Sequence, residues 1–350
     1  MKRIGNLFPQ ICSWSNLELA ARRARKRKRY RHYTEQFELR RESILRDIRS
    51  ELLAGEWQPQ PYHEFMIFDP KERLICAAPY RDRVVHHAIC NVIDPILERR
   101  MVDQSYSCRT GKGTGAARQA CLRMVRKYRY VLKLDVRKYF PSVDHRLLKE
   151  KIRRVIKCAD TLTVIDRIIA SWRTDEGGPA WFAGDGLLEA AERPRGIPIG
   201  NLTSQLFANF FLNRLDHFIL QELKPKGFIR YTDDLLLFSN SKAFLHDSLA
   251  RLSRELEDDR LKPHPKKCRV MPVRAGVPFL GFRFFPGRVR VLRENRRRFE
   301  KRMNRLRRGI ARGRNDISEI WPSMFGWFQF VREYPVNEGL VLSECRRQVF

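Results

Sequence analysis

Two adjacent carboxylates, Asp233 and Asp234, stand between two apolar runs, Phe228-Ile229 on one side and Leu235-Leu236-Leu237-Phe238 on the other. The runs have the length of strands, and Tyr231-Thr232-Asp233-Asp234 reads as the tip of the hairpin that joins them. Neighbouring acids flanked by buried residues repel each other and lose hydration. A divalent cation removes both penalties; the alternative is an ordinary Asp-containing turn, where the acids stay in water. A second apolar strand, Tyr130 to Val136, also carries a carboxylate near its end, Asp135. With the strands side by side in one sheet, Asp135, Asp233 and Asp234 make a triad of oxygen donors, the set that favours Mg²⁺ or Mn²⁺. Two such ions suit an in-line displacement at phosphorus, in which a hydroxyl is activated and a leaving pyrophosphate stabilised.

The charge balance says what such a site would act on. The 350 residues include 70 Lys and Arg against 40 Asp and Glu, a net charge of +30, which points to a polyanionic partner. No apolar stretch is long enough to span a membrane, and Met1 to Phe8 lacks the features of a secretory signal, so a cytoplasmic protein is expected. Eight scattered cysteines form no Cys-x-x-Cys pair and read as reduced thiols. Residues 15–55 read as helix, within which Arg22 to Arg31 holds eight basic residues in ten. Like charges four apart repel on a helix, and a phosphate backbone relieves that repulsion; a solvated charged face is the alternative. Nucleic-acid contacts are therefore expected at Arg22, Arg23, Arg25 and Lys26, and at Arg296, Arg297, Lys301 and Arg305 in a second basic helical stretch.

The remaining pattern is mixed. Residues 62–78 suggest a hairpin, 81–100 a helix containing His86 and His87, and 116–128 another helix preceded by Gly111-Lys112-Gly113-Thr114-Gly115. That glycine-rich turn lacks the spacing of a nucleotide-triphosphate loop. His86 and His87 point about 100° apart on a helix, so they read as packing residues rather than a metal pair. Helices follow at 146–172, 202–223 and 243–261. Residues 279–292 suggest a second hairpin around Pro286-Gly287, with helix from Asn295 onward. Strands arriving as hairpins among helices give an α+β fold with helices on an antiparallel sheet.

Several of these segments together resemble reverse transcriptases of the bacterial, group-II-intron-like lineage. The palm motifs of that family are matched in order by Asp135-Val136-Arg137-Lys138-Tyr139-Phe140 with Ser142-Val143-Asp144-His145, by Tyr231-Thr232-Asp233-Asp234 and by Phe279-Leu280-Gly281-Phe282. Upstream, Arg73, Pro79, Arg81-Asp82-Arg83 and Ser105 to Gly113 resemble its fingers motifs, so the match runs over about residues 60–335. The resemblance implies a right-hand polymerase: a basic helical extension at 1–60, fingers at 61–130, palm at 131–285 with part of the fingers around 146–200, and a basic helical thumb at 286–350. It implies that Asp135, Asp233, Asp234 and the Val136 carbonyl hold two Mg²⁺ ions, with Mn²⁺ as a substitute. Lys267 would protonate the pyrophosphate, with Lys266 as its rival. Arg73, Arg83, Phe140, Ile199, Gly200 and Gln205 would contact the incoming dNTP, Phe140 as the ring that leaves no room for a 2′-hydroxyl. Ordinary salt bridges for the two arginines and a core role for Phe140 are the alternatives. Phe279, Leu280 and Gly281 would form the primer grip.

The block Gly196 to Gln205 departs from the common pattern, carrying Ile199 where most bacterial members have Gln before Gly and Gln205 where they end in Ser-Pro. This variant resembles the reverse transcriptases of diversity-generating retroelements. That subtype implies copying of a template-repeat RNA with misincorporation opposite adenines, and a small basic accessory protein as partner in a bacterial or phage-encoded system. Loss of a polar contact at Ile199 is a plausible physical route to looser discrimination. Two other expectations remain beside it: a stand-alone or defence-associated enzyme of the same lineage, and a non-catalytic RNA-binding protein with a relic palm. The first would share template RNA, RNA/DNA hybrid and dNTPs as ligands; the intact acids at 135, 233 and 234 weigh against the second.

Overall fold

The computed structural model describes residues 2–332, apart from 69–71, 175, 177, 179 and 187. In chain order the strands are β1 (His63–Ile67), β2 (Arg73–Ala77), β3 (Tyr130–Asp135), β4 (Gly227–Tyr231), β5 (Asp234–Ser239), β6 (Arg269–Pro272), β7 (Val277–Phe279), β8 (Phe282–Phe284) and β9 (Val289–Val291). They form three antiparallel sheets, β1-β2, β4-β5-β3-β6 and β7-β8-β9.

Period-two alternation explains the central sheet. Leu132 and Leu134 of β3, Leu235 and Leu237 of β5 and Phe228 of β4 enter a large core shared with the surrounding helices. Val131, Leu236, Phe238 and Ile229, one residue out of phase, enter a second core with Phe279, Phe282 and Phe284. Successive side chains point to opposite faces, so both faces are covered. By the same alternation Lys133, Asp135 and Asp234 share the face of Val131 and Leu236, towards the β7-β8-β9 sheet.

The helices depart from expectation in one place that matters. The span 15–55 is three helices, Trp14–Arg25, His32–Leu39 and Arg41–Leu53. Ser13 caps the first, its hydroxyl accepting from the Asn16 N–H. The basic run itself ends that helix: Lys26 is its C-cap and Arg27 adopts a left-handed φ of 65°. Breaking the helix spreads charges that a continuous one would stack at i, i+4. Similarly, 146–172 splits into His145–Arg153 and Ala159–Ala170, and 202–223 into Leu202–Phe211, Asn213–Phe218 and a π-helical turn at Ile219–Leu223. Residues 279–292 belong to a three-stranded meander rather than a hairpin. The turn at Pro286-Gly287 joins β8 to β9 as expected, and a second turn at Leu280-Gly281 joins β7 to β8. The expected helix from Asn295 is Arg293–Ala311 followed by Ile320–Val331. Its continuation over 333–350, with Cys345, lies outside the described residues, as does most of the β1-β2 turn.

His86 and His87 lie within helix Tyr80–Glu98. His86 is buried, and its Nε2 has no hydrogen-bond partner among the described residues. Burial, then the neighbouring His87 and Arg83, pushes its pKa down to about 3. The unfolded chain therefore takes up a proton below about pH 6.5 that the folded chain refuses until about pH 3. Stability is complete above that range and falls as pH drops through it, by about 2 kcal/mol from His86 at pH 5. Urea unfolding at pH 7 and pH 5 should show this loss together with a similar one from His87, whose pKa burial lowers to about 4, so His86→Gln should remove about half of the histidine-linked difference. An equal pH dependence in both chains would refute the assignment.

Candidate active site

Asp135 closes β3 and pairs in register with Asp234, the first residue of β5, which also pairs with Tyr231 of β4. Asp233 sits in the turn between β4 and β5, reached through Thr232 at a left-handed φ of 56°. The Asp233 carbonyl accepts from the Val136 N–H at 3.2 Å, fastening the turn to the end of β3. The structure thus brings the three carboxylates expected from the sequence to one end of one sheet.

Each acid is held differently. Both oxygens of Asp135 accept from Lys267 Nζ, at 3.0 and 3.1 Å. Asp234 Oδ2 accepts from Lys133 Nζ at 2.8 Å, while its Oδ1 is buried without a partner among the described residues. Burial raises the Asp234 pKa and Lys133 opposes the rise. For Asp233, burial first and the charge of Asp135 second raise the pKa to about 6. Among the described residues no three His, Cys, Asp or Glu side chains are gathered as they stand into a metal-holding cluster. The orphaned Asp234 Oδ1, the all-oxygen donor set and the unfavourable accumulation of charge nevertheless fit a hard divalent cation.

Beneath the turn lies a buried polar support. Arg230 is fully buried and donates to both oxygens of Asp216, at 2.7 and 2.6 Å. The same guanidinium reaches the Asn209 carbonyl at 3.0 Å and the Thr232 carbonyl at 3.1 Å. Thr232 Oγ1 meets Ser107 Oγ at 2.7 Å, and Asn209 Nδ2 donates to the Ser107 carbonyl at 2.6 Å. Segments near residues 107, 209, 216 and 230 therefore converge on one turn.

Lys267 rather than Lys266 lies on Asp135; the Lys266 N–H is engaged with His264 Nδ1. Phe140 stands half-buried in the single turn Tyr139–Ser142, its carbonyl accepting from Ile197 N–H at 3.0 Å. Tyr139 is the more buried ring, and its hydroxyl donates to the Ala208 carbonyl. Ile199 meets β2 through its backbone, its carbonyl accepting from Cys76 N–H at 2.9 Å. Gly200 follows at φ 123°, where a Cβ would come within 3.1 Å of Ile75. Gln205 is exposed and lines a cavity of about 330 Å³ together with Arg23, Lys26 and His87. Arg73 is exposed at the start of β2. Arg83 is partly engaged elsewhere, its Nε donating to the Ala78 carbonyl at 2.6 Å and its guanidinium lying over Tyr33.

Of the three residues expected to grip the primer, Phe279 points into the core and is 1% exposed. Leu280 and Gly281 form the turn, at φ 43° and 90°, with Arg118 donating twice to the Leu280 carbonyl. The basic residues are spread over two surfaces. Arg22, Arg23, Arg25 and Lys26 are exposed at the end of the first long helix, with Arg23 bonded to Asn91 and Arg25 to Glu38. Arg296, Arg297, Lys301 and Arg305 are exposed on Arg293–Ala311, whose Phe299 and Met303 are buried. Two functional neighbours escaped the sequence reading, Lys133 and Arg230. Each breaks an apolar strand with a cation, which is the signal that could have found them.

The family model for reverse transcriptase (RNA-dependent DNA polymerase) matches residues 68–284, which contain the three acids and their support. The chain belongs to the reverse transcriptase family. With that membership the antiparallel sheet bearing the acidic hairpin is the palm of a right-hand polymerase, and dependence on a divalent metal follows from the domain. The chain is 27% identical to protein YkfC of Escherichia coli, over 70% of its own length and 72% of that protein. It is 25% identical to the group II intron-encoded protein LtrA of Lactococcus lactis, over 62% of its length and 34% of LtrA. It is 30% identical to the retron Mx162 reverse transcriptase of Myxococcus xanthus, over 48% of its length and 32% of that enzyme. The matches thus span about a third of the last two proteins, and place this reverse transcriptase among group-II-intron-like and retron-like ones. No helix among the described residues is long and apolar enough to cross a membrane.

Proposed function

We propose that this reverse transcriptase copies an RNA template into DNA by nucleotidyl transfer at Asp135, Asp233 and Asp234. The observation that carries the reading is the cross-strand pair Asp135–Asp234 with Asp233 in the adjoining turn. These carboxylates and the Val136 carbonyl would hold two Mg²⁺ ions, with Mn²⁺ able to replace them. Bound there, the ions supply Lewis acidity for the primer 3′-hydroxyl and charge neutralisation for the departing pyrophosphate. Lys267, which bonds Asp135, would deliver a proton to that pyrophosphate. Arg73 and Arg83 would steady the triphosphate, with Ile199, Gly200 and Gln205 lining the nucleotide site. Leu280 and Gly281 present backbone to the primer end, Phe279 anchoring them from the core. The basic surfaces at Arg22 to Lys26 and Arg296 to Arg305 would track the phosphates of template and hybrid.

Phe140 would exclude ribonucleotides by filling the space beneath the sugar. Phe140→Val should then raise the ribonucleotide-to-deoxyribonucleotide ratio of kcat/KM about 10- to 100-fold. Single-nucleotide incorporation with matched dNTP and rNTP measures this, and an unchanged ratio would leave Phe140 as a packing residue.

The finer reading is a diversity-generating retroelement enzyme that copies a template-repeat RNA with errors opposite adenine, assisted by a small basic accessory protein. The Gly196 to Gln205 block supports it. Ile199 and Gly200 lie against β2, and an apolar side chain at 199 would lack a polar contact to the templating base or incoming nucleotide. Primer extension on a mixed-sequence RNA template with Mg²⁺ and all four dNTPs, followed by sequencing, tests the reading. Substitutions concentrated opposite template adenines are expected; faithful full-length cDNA would favour a stand-alone enzyme of the same lineage.

A further inference from the structure

The alternation that aims Asp135 at the catalytic end of the sheet aims Lys133 at the same face, two residues earlier. Lys133 Nζ donates to Asp234 Oδ2 at 2.8 Å and to the Pro278 carbonyl at 3.0 Å. Pro278 lies in β7, immediately before Phe279-Leu280-Gly281. A single ammonium thus joins an acid of the central sheet to the strand that leads into the candidate primer-grip turn. Arg118 holds the Leu280 carbonyl of that turn.

The site is an expensive place for a cation. Lys133 is 14% exposed on its side chain and has Val131 and Leu236 on the same face. A Met or Leu would brace the two sheets without the cost of desolvating a charge. An ammonium beside a metal-ligating carboxylate also weakens cation binding there. Both costs are understandable where the carboxylate must be held in one orientation relative to the primer end.

We propose that Lys133 is a positioning residue for nucleotidyl transfer. It fixes Asp234 through Oδ2, leaves Oδ1 available, and sets the separation between that acid and the turn at Leu280-Gly281. The inference rests on reading Asp234 as a metal ligand and Leu280-Gly281 as the primer grip.

The test uses the full chain with Lys133→Met, Lys133→Arg and Asp234→Asn. Three quantities are measured: the single-turnover rate of one-nucleotide addition to a saturating primer–template, the Kd of that primer–template, and the Kd of Mn²⁺ by electron paramagnetic resonance in the absence of nucleic acid. Lys133→Met should slow addition about 10- to 100-fold, since a small misplacement of reacting groups has that effect. Its primer–template Kd should change less than about threefold, while its Mn²⁺ affinity rises about three- to tenfold from loss of the nearby positive charge. Lys133→Arg, which keeps charge and donors, should recover most of the rate. An unchanged rate, or a rate and Mn²⁺ affinity that fall together as loss of a mere brace requires, overturns the proposal. Asp234→Asn separates the two levels of inference. If it leaves Mn²⁺ affinity unchanged, the metal-ligand reading itself fails. If it weakens Mn²⁺ while Lys133→Met is inert, only the role of Lys133 fails. Should Lys133→Met not fold, Lys133→Gln carries the same readouts.

Discussion

Asp233→Asn should reduce cDNA synthesis at least about a thousandfold and, in metal-free buffer, make the protein more stable. The two effects have one cause. Asp233 is half-buried beside Asp135, and its pKa rises from 3.8 to about 6. Between those values the folded chain holds a proton that the unfolded chain has released. Keeping the charge in the folded state therefore costs stability, a cost that grows as pH rises through that window and is complete above about pH 6. Asn removes it, a gain of about 3 kcal/mol at pH 7. Primer extension and urea unfolding in chelator measure the two effects. Retained synthesis would remove Asp233 from the chemistry. Loss of synthesis with equal loss of stability would show that the substitution damages the turn rather than the site.

Arg230→Met should destabilise the fold by about 3–5 kcal/mol, the usual result of stripping a buried carboxylate of its partner. Asp216 would be left fully buried with both oxygens unpaired, and the Thr232 carbonyl would lose its donor. Thr232 occupies a left-handed backbone conformation, which persists only where its surroundings hold it. Activity should consequently fall further than the folded fraction alone accounts for. The double variant Arg230→Met with Asp216→Leu restores a neutral interior and should regain much of the stability. Without the bond to Thr232 it should not regain the activity. Chemical unfolding of the single and double variants, with turnover per folded molecule, measures both. A single variant within about 1 kcal/mol of the parent would mean that water or repacking compensates Asp216.

The acidic hairpin was legible because its signal is local: two continuous apolar runs around a polar tip at Tyr231 to Asp234. Asp135 was legible for the same reason, and adjacency of the strands followed from placing three acids around one chemistry. What escaped notice depends on contacts distant in sequence. Nothing near Arg230 announces Asp216, and nothing near Lys133 announces Asp234 or Pro278. Strand β7 has three residues, too few to show a period, so the meander read as a hairpin. Phe279 fits the primer-grip motif by type, yet alternation in β7 turns its ring into the core and leaves the turn itself to its two successors. The basic run at Arg22 to Arg31 was recognised by charge, but its effect on the backbone was not: the same repulsion that suggests a polyanion also ends the helix.

The sheet order has a consequence for how the molecule can change. β3 and β5 are interior strands, each hydrogen-bonded on both sides, so their amides exchange with solvent only when the whole sheet opens. The acids at 135 and 234 are carried at the ends of these two interior strands. Adaptation to different templates, primers or partners is consequently left to the periphery: the two-stranded β1-β2 ribbon and the basic helices at either end. Those parts can be lengthened, recharged or exchanged over evolutionary time while the seat of the reaction stays where it is.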